Sequence, residues 1–442
     1  MVGRVAERRY RSDPQRSELA STPSHMKILF VTPYVPSPPT FGGQRRIHGL
    51  MRALRKRHTL SLLALHNPID PIDEWLERTR GFYPDTELFV QPAFALQGRA
   101  KRTAQLRSLF GLRSWDAISH RNEAMTSRLR ERLARETWDA VVVEFAQMTV
   151  NLTGLPRGVP CVVDEHNIEY DLQRRSATSS SSPLRRTFLE ANWRKLRREE
   201  QAVWRTFDGV SVTSPRDLSI VQAHAPQAHC ILSPNGVDLD EFTPPAGAPE
   251  PGTVIFVGAH NYFPNADGLR FLFAEIWPLV LSARPSVRLR VVGPFPPADI
   301  VALRPPNVTF EGYVTDIVAE VGRAEIAIAP LRIGGGTRLK IVEAMALARP
   351  VVATSIGAEG IAAQHDRDLL LADAPRDFAD AVLRLLARPA EAAALGLRGR
   401  RLVEEGYSWD TSAARLEHLI EELIERREHP RTALGPNSIG SS

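Results

Sequence analysis

Ile326-Ala327-Ile328-Ala329-Pro330-Leu331-Arg332-Ile333-Gly334-Gly335-Gly336-Thr337-Arg338-Leu339-Lys340-Ile341-Val342-Glu343-Ala344-Met345-Ala346 joins three patterns in one run. A short apolar strand ends at Pro330, three glycines make a loop, and a helix is predicted to begin near Thr337, a residue suited to the N-cap. Glycines let a backbone approach a ligand closely, and a helix N-terminus adds free N–H groups and a positive dipole end, which together suit a diphosphate. On helical spacing Leu339, Val342 and Ala346 form the buried stripe, while Lys340 and Glu343, three apart, share another face. A cation for phosphate and a carboxylate that accepts two hydroxyl hydrogen bonds fit a nucleotide sugar, although an ordinary surface Lys–Glu pair has the same spacing. Arg338 points elsewhere on a regular helix, but from the first turn it can still reach a phosphate.

The same strand–loop–helix unit recurs on both sides of this run. Strands are predicted at 28–31, 60–65, 140–143, 161–164 and 210–212, then at 254–257, 287–292, 308–310, 326–329 and 351–353, with helical patterns at 44–57, 122–136 and 183–207. Strands of Val, Ile and Leu without alternation indicate burial on both faces, hence parallel sheets with crossover helices. Pro244, Pro245, Pro249 and Pro251 around Gly247 and Gly252 mark a linker. The expected architecture is α/β: two doubly wound Rossmann-like domains facing a cleft. A first domain covers 26–243, a linker 244–252 and a second domain 253–408. A helix at 409–428 packs on either domain. Residues 1–25 and 429–442 read as tails, the first as disordered, and Met26 stands where the first strand begins abruptly.

Composition bounds the function. The 442 residues exceed one ordinary core, and 43% hydrophobic with 24% charged residues is the balance of a soluble protein. A net charge of +5, with Arg far outnumbering Lys, is too mild to indicate nucleic-acid binding. Cys161 and Cys230 lie in apolar, strand-like surroundings and read as reduced core residues. No run approaches the roughly 18 apolar residues of a membrane span, and the Arg-rich start lacks the apolar segment of a secretory signal. A cytoplasmic protein is the expectation.

Glu343-Ala344-Met345-Ala346 followed by Pro350-Val351-Val352 resembles the donor-binding motif of glycosyltransferase family 4, the group 1 glycosyltransferases of GT-B fold. The Gly-Gly-Gly-Thr-Arg-Leu-Lys loop is similar to that of one subgroup. In the family two glutamates separated by seven residues contact the donor. Glu343 takes the second position, which implies a bond to the nucleotide ribose, and Gly335 stands where the first, facing the transferred sugar, is usual. Arg349 replaces a helix-ending glycine, at a cost of about 1 kcal/mol if that position is left-handed.

The resemblance extends over nearly all of 26–425. Val212-Thr213-Ser214, Ser233-Pro234-Asn235-Gly236-Val237-Asp238 and Phe242-Thr243-Pro244 resemble the end of the family's first domain. Asn235-Gly236 is also a strong turn signal, and Asp238-Leu239-Asp240 reads as a coincidental imitation of a metal-binding pair. Phe256-Val257-Gly258 opens the second domain, with Gly258 lining the cleft, but the Arg and Lys that follow in the family are absent. Gly42-Gly43-Gln44-Arg45-Arg46, opening a helix after the first strand, makes a second backbone anion site. His166, in Asp164-Glu165-His166-Asn167, matches a histidine that in the family lies near the transferred sugar; Glu144 and Gln147 are weaker candidates.

The resemblance implies a retaining, metal-independent transfer from a nucleotide-diphosphate sugar to a glycan or lipid-linked acceptor in cell-surface polysaccharide or glycoconjugate synthesis, with no cofactor. The catalytic candidates are His166, Lys340 and Glu343. The donor-binding set is Gly42, Gly43, Gly258, Gly334, Gly335, Gly336, Thr337, Arg338, Lys340 and Glu343, with no metal ligand. Two alternatives stay open: a sugar-nucleotide epimerase or hydrolase, and a non-catalytic nucleotide-sugar-binding protein. The basic amphipathic helix 183–207 adds the expectation of peripheral contact with the inner face of an anionic membrane.

Overall fold

The computed structural model describes residues 25–155, 158–178 and 182–429. The predicted tails therefore lie outside the described residues except at His25 and His429.

Seven strands make the first sheet: β1 (Lys27–Thr32), β2 (Thr59–His66), β3 (Asp85–Val90), β4 (Ala140–Glu144), β5 (Cys161–Glu165), β6 (Gly209–Val212) and β7 (His229–Leu232). They are ordered β3-β2-β1-β4-β5-β6-β7, all parallel. Six more make the second: β8 (Thr253–Val257), β9 (Arg288–Val292), β10 (Val308–Gly312), β11 (Ile326–Ala329), β12 (Val351–Ala353) and β13 (Leu370–Leu371). Their order is β10-β9-β8-β11-β12-β13, again parallel. Each sheet reverses direction of winding once, between β1 and β4 and between β8 and β11, and such switch points open crevices at the carboxyl ends of the strands.

The expected doubly wound sheets are thus present. The ten predicted strands all form, while β3, β7 and β13 arise where no strand was predicted. β3 lies on one edge and buries only Thr86, β7 lies on the opposite edge and is half-buried, and β13 is two residues long. Strands at an edge lose the continuous apolar signature that marks the centre.

The Pro-rich stretch 244–252 lies against the second unit, where the Glu250 N–H donates to Arg323 O and Pro245 covers Gly322. The residues that pass between the units lie upstream. The Ser233 N–H still bonds to Val212 O in the first unit, whereas Val237 and Phe242 are buried in a core of the second. The chain returns at Tyr407–Ser408, and the helix Trp409–Glu428 packs on the first unit, where Leu416, Leu419, Ile420 and Leu423 join Ile47, Leu50 and Leu54 of the helix Gly42–Leu54. Each such side chain contributes about 1.5–3 kcal/mol. Ser408 caps the terminal helix by accepting from the Thr411 N–H at 3.1 Å.

Gly236 lies where the two passages touch: a Cβ there would stand 2.6 Å from Ser408 C and Trp409 N, both backbone atoms. Gly236→Ala is therefore expected to destabilise the protein by about 1–3 kcal/mol through overpacking. Gly247→Ala, with nothing within 4 Å of the added carbon, should stay within about 0.5 kcal/mol of the parent. Urea denaturation of both variants checks this, and an unchanged midpoint for Gly236→Ala would contradict the packing assigned to it.

Candidate functional site

The carboxyl ends of the strands flanking the two switch points face each other. From the first unit come the Gly42–Leu54 helix after β1, Glu144 at the end of β4, and Asp164 to Asn167 at the end of β5. From the second come Gly258 after β8 and the loop 330–338 after β11.

Arg46 organises the first side. It is fully buried, donates to both Asp164 oxygens at 2.7 and 2.6 Å, and reaches Asn235 Oδ1 at 3.1 Å. The Asn235 amide in turn donates to Thr337 O at 2.8 Å, so one chain of bonds runs from β5 to the glycine loop of the other unit. The turn expected at Asn235-Gly236 is not formed, and Asn235 instead bridges the two units. Burial would raise the Asp164 carboxyl, but Arg46 outweighs it and holds Asp164 below its ordinary range. Burial and the Asp164 charge push Glu144 well above its ordinary value. Burial pushes His166 down to about 3, with Asp164 opposing and Arg46 adding. His166 Nε2 and Glu144 Oε2 share a hydrogen bond of 2.7 Å, and the imidazole stacks on Phe145 with centroids 3.9 Å apart. His166 is thus a neutral, anchored imidazole. Glu144, Asp164 and His166 present donor atoms within 4.8 Å of one another, but both oxygens of Asp164 are engaged by a guanidinium, so the charge that a cation would supply is already present.

On the second side the helix runs Leu339–Ala346, with Arg338 at its N-cap position. The predicted Thr337 cap is not formed: the Thr337 hydroxyl donates to Thr213 O of the first unit at 2.6 Å. The predicted single stripe is also too narrow, because every residue from Ile341 to Ala346 is buried, Glu343 included. Lys340 and Glu343 do not pair with each other. Glu343 accepts a short hydrogen bond from Arg45 across the cleft. Lys340 donates to Asn265 Oδ1 at 2.7 Å and lies 4.3 Å from the centre of the Phe256 ring. Burial, then the charge of Arg338, push Lys340 down to about 7 from the usual 10.5, with Glu343 opposing. Arg338, also lowered by burial, donates, among the described residues, to the carbonyls of Gly336 at 3.0 Å and Ile356 at 3.5 Å. Among the described residues no carboxylate lies within ion-pair distance of Arg338 or Lys340.

The glycines serve close approach between the two units. Gly336 has φ +65°, and a Cβ there would lie 2.5 Å from His166 O. A Cβ at Gly335 would stand 3.3 Å from the Asn167 side-chain amide, which, oriented to donate, bonds Gly335 O at 2.9 Å. Arg175 donates to Gly334 O at 2.9 Å and pairs with Glu359 at 3.3 Å. Gly258 is tight against Lys340, whose Nζ would be 2.9 Å from an added Cβ. Gly42 faces Leu339 of the other unit, at 3.5 Å from an added Cβ, and Gly43 lies under the Tyr34 hydroxyl. At the far end of the helix, left-handed backbone falls on Ala348 (φ 53°), not on Arg349, so the cost expected for Arg349 does not arise.

Every predicted site residue is therefore at this cleft, or against the residues that line it. Arg45, Arg46, Asn265 and Arg175 were not among the predicted site residues, although Arg45 and Arg46 stand in the quoted Gly-Gly-Gln-Arg-Arg segment. The Asp238-Leu239-Asp240 segment forms a turn, with Asp238 Oδ1 accepting the Asp240 N–H at 3.1 Å and Asp238 pairing with Arg52 at 2.7 Å. Cys161 and Cys230 are both free thiols, as expected. The helix Pro183–Thr206 turns Leu196, Val203 and Trp204 into the core, so its apolar face is occupied. Among the described residues no helix is long and apolar enough to cross a membrane.

Comparison with known proteins bears on this cleft. Residues 251–388 match the model of the family described as Glycosyl transferases group 1. An uncharacterized 44.6 kDa protein in the cps region of Klebsiella pneumoniae is 24% identical over 35% of this chain and 42% of its own length. A GDP-mannose-dependent alpha-(1-6)-phosphatidylinositol monomannoside mannosyltransferase of Mycobacterium tuberculosis is 29% identical over 51% of this chain and 66% of its own. The chain thus spans less than two thirds of these relatives. Sucrose-phosphate synthase from Thermosynechococcus elongatus superposes over 91% of this chain and 100% of its own with a TM-score of 0.69 at 19% identity. The HepE protein of Anabaena, in complex with UDP and glucose, covers 90% of this chain and 100% of its own with a TM-score of 0.61 at 15% identity. The chain has the GT-B fold, and its residues 251–388 match the group 1 glycosyl transferases.

Proposed function

We propose that this protein is a retaining, metal-independent glycosyltransferase that moves a sugar from a nucleotide diphosphate to a glycan or lipid-linked acceptor, in cell-surface polysaccharide or glycoconjugate synthesis. The observation that carries the reading is the pair of half-buried cations, Arg338 and Lys340, that lack a carboxylate partner among the described residues and stand at a switch-point crevice. Partly desolvated cations without counter-charge are costly, and an anion that enters the crevice relieves them. A diphosphate supplies that anion, and the nearby Glu343 carboxylate suits the ribose hydroxyls. The second unit is then the donor side and the first the acceptor side.

In this mechanism Arg338, Lys340 and the N–H groups of the 334–337 loop stabilise charge that grows on the departing diphosphate. That diphosphate accepts the proton of the acceptor hydroxyl as the new glycosidic bond forms on the same face, so no protein nucleophile is required. Glu343 exchanges its Arg45 partner for the ribose. His166, neutral and held by Glu144, offers a hydrogen bond to a hydroxyl of the transferred sugar. Gly42, Gly43 and Gly258 leave room for the diphosphate, and closure of the units excludes water. Metal independence is supported by the Arg46 guanidinium, which supplies the positive charge at Asp164. The protein is read as cytoplasmic. The names of the mycobacterial relative and of the UDP-bound Anabaena structure support a nucleotide-sugar donor.

A thermal-shift screen against UDP-, GDP- and ADP-sugars is expected to yield one base that stabilises the folded protein. Its absence from all three would count against the donor site. Glu343→Gln should weaken binding of that nucleotide sugar by about tenfold or more, the loss of one charge-assisted hydrogen bond of ~1.5–3 kcal/mol. Turnover with acceptor, measured by product analysis, separates the reading from its rivals: sugar altered or released without acceptor indicates an epimerase or hydrolase, and binding with no turnover indicates a non-catalytic protein.

Lys340 gives the binding a pH signature. Its value near 7 in the free protein, against ~10.4 in an unfolded chain, means that between these limits the unfolded chain holds the extra proton. Stability of the free protein therefore gains from this group as pH rises through that window. A bound diphosphate favours the charged amine, so binding takes up a proton above pH 7. Affinity should fall by about tenfold from pH 6.5 to 8.5, and Lys340→Arg should flatten the slope. Calorimetry at pH 8 in buffers of different ionisation enthalpy reads the proton directly; no uptake by the parent protein would refute the assignment.

A further inference from the structure

The stretch 91–115 contains Arg99, Lys101, Arg102, Arg107 and Arg113 and no Asp or Glu. Its helix, Gly98–Leu109, buries only Ser108. The turn that follows projects its apolar side chains outward: Phe110 is 93% and Leu112 89% exposed, with Leu106 behind them at 58%. Large apolar side chains so fully exposed, side by side and ringed by cations, call for an occupant.

The turn is nonetheless rigidly built. Lys195 Nζ donates to the carbonyls of Ser108, Leu109 and Gly111 at 2.7, 3.0 and 2.6 Å, and the Ser114 N–H and hydroxyl both donate to Glu199, at 3.1 and 2.5 Å. A side chain from the neighbouring helix thus satisfies the backbone carbonyls at the end of this one. Satisfied carbonyls allow a turn to enter an apolar medium without bare polar groups, a requirement that water does not impose. Among the described residues, Arg99, Lys101, Arg102 and Arg107 have no carboxylate partner, and Arg113 stands 3.9 Å from Glu199.

We propose that the Phe110–Leu112 turn inserts into the interface of an anionic lipid bilayer while the cations of the 98–113 segment lie on its headgroups. Apolar tips combined with basic flanks are the two components of reversible interfacial binding. Charge complementarity selects this occupant over a second copy of the chain, because two such faces would set cation against cation. The surface differs from the expected one on the helix Pro183–Thr206, whose Leu196, Val203 and Trp204 are in the core and whose Lys195 braces the turn. Bilayer contact is independent of the glycosyl-transfer reading, since the turn lies in the first unit and none of its residues lines the cleft.

Co-sedimentation of the full chain with vesicles of equal phosphatidylglycerol and phosphatidylcholine tests it. Binding is expected at about 50 mM salt and to be lost at about 500 mM, concentrations roughly threefold either side of physiological screening; it should also be lost with phosphatidylcholine alone. The double variant Phe110→Ser/Leu112→Ser and the double variant Arg102→Glu/Arg107→Glu should each lower the bound-to-free ratio by about tenfold or more. Both should keep the parent's nucleotide-sugar thermal shift, which shows that they fold and separates failure here from failure of the donor site. Parent protein that stays in the supernatant, or a Phe110→Ser/Leu112→Ser variant that sediments like the parent, would overturn the proposal. So would equal binding to neutral vesicles, or a parent dimer in gel filtration that the same variant dissociates.

Discussion

One buried guanidinium sets the state of the cleft. Arg46 engages both oxygens of Asp164 in a pocket that also holds Glu144 and His166. Remove it, and two carboxylates would share a dry site with no counter-charge, a cost of several kcal/mol. With it in place Asp164 is held below its ordinary range, Glu144 is pushed above its own, and His166 stays neutral. The same side chain orients Asn235, and Asn235 holds Thr337 O of the opposite unit. The ionisation of one strand end and the position of the facing loop thus share a single origin.

Much of this was legible from residues alone. The buried strands declare themselves through unbroken Val, Ile and Leu, as in Val141-Val142-Val143, and the alternation of strand and helix follows. Edge strands such as β3, with Asp85 and Glu87 in it, do not. The glycine loop was found by spacing, but its partners were not, because they lie more than 120 residues away in sequence: Gly336 against His166, Thr337 against Thr213. Arg45 and Arg46 show the limit most plainly. They are neighbours in a segment noticed for its glycines, yet a helix turns successive side chains about 100° apart. One enters the first unit to reach Asp164 and the other crosses to Glu343. Sequence spacing gives the divergence, and only the packing tells which way each one goes.

The glycine triplet also takes on a second meaning. Its predicted task was to cradle phosphate. In the folded chain Gly335 and Gly336 lie against Asn167 and His166, where a side chain would press on the first unit. Absence of a carboxylate at 335 is therefore compatible with close approach of the units, independently of any sugar contact. The cations, meanwhile, are placed where burial disfavours their charge. Lys340 and Arg338 are half-buried, with amide, carbonyl and ring partners but no carboxylate among the described residues, a setting that strengthens attraction to any anion admitted there.

The terminal helix has a consequence for biosynthesis. Its residues Ala413 to Leu423 complete a core otherwise built from β1, β2, β4, β5 and the Gly42–Leu54 helix, all in the first half of the chain. A ribosome that has released the first sheet has not yet released the helix that covers it, and domains otherwise tend to fold as they emerge. Until residue 423 is free, Ile47, Leu50 and Leu54 keep an apolar face exposed while the whole second unit is being made. The second unit, which borrows no element from the terminal helix for its sheet, is free to fold in that interval. Closure of the first core is then the last event of folding, and it is also the event that lays the second passage of the chain beside Gly236.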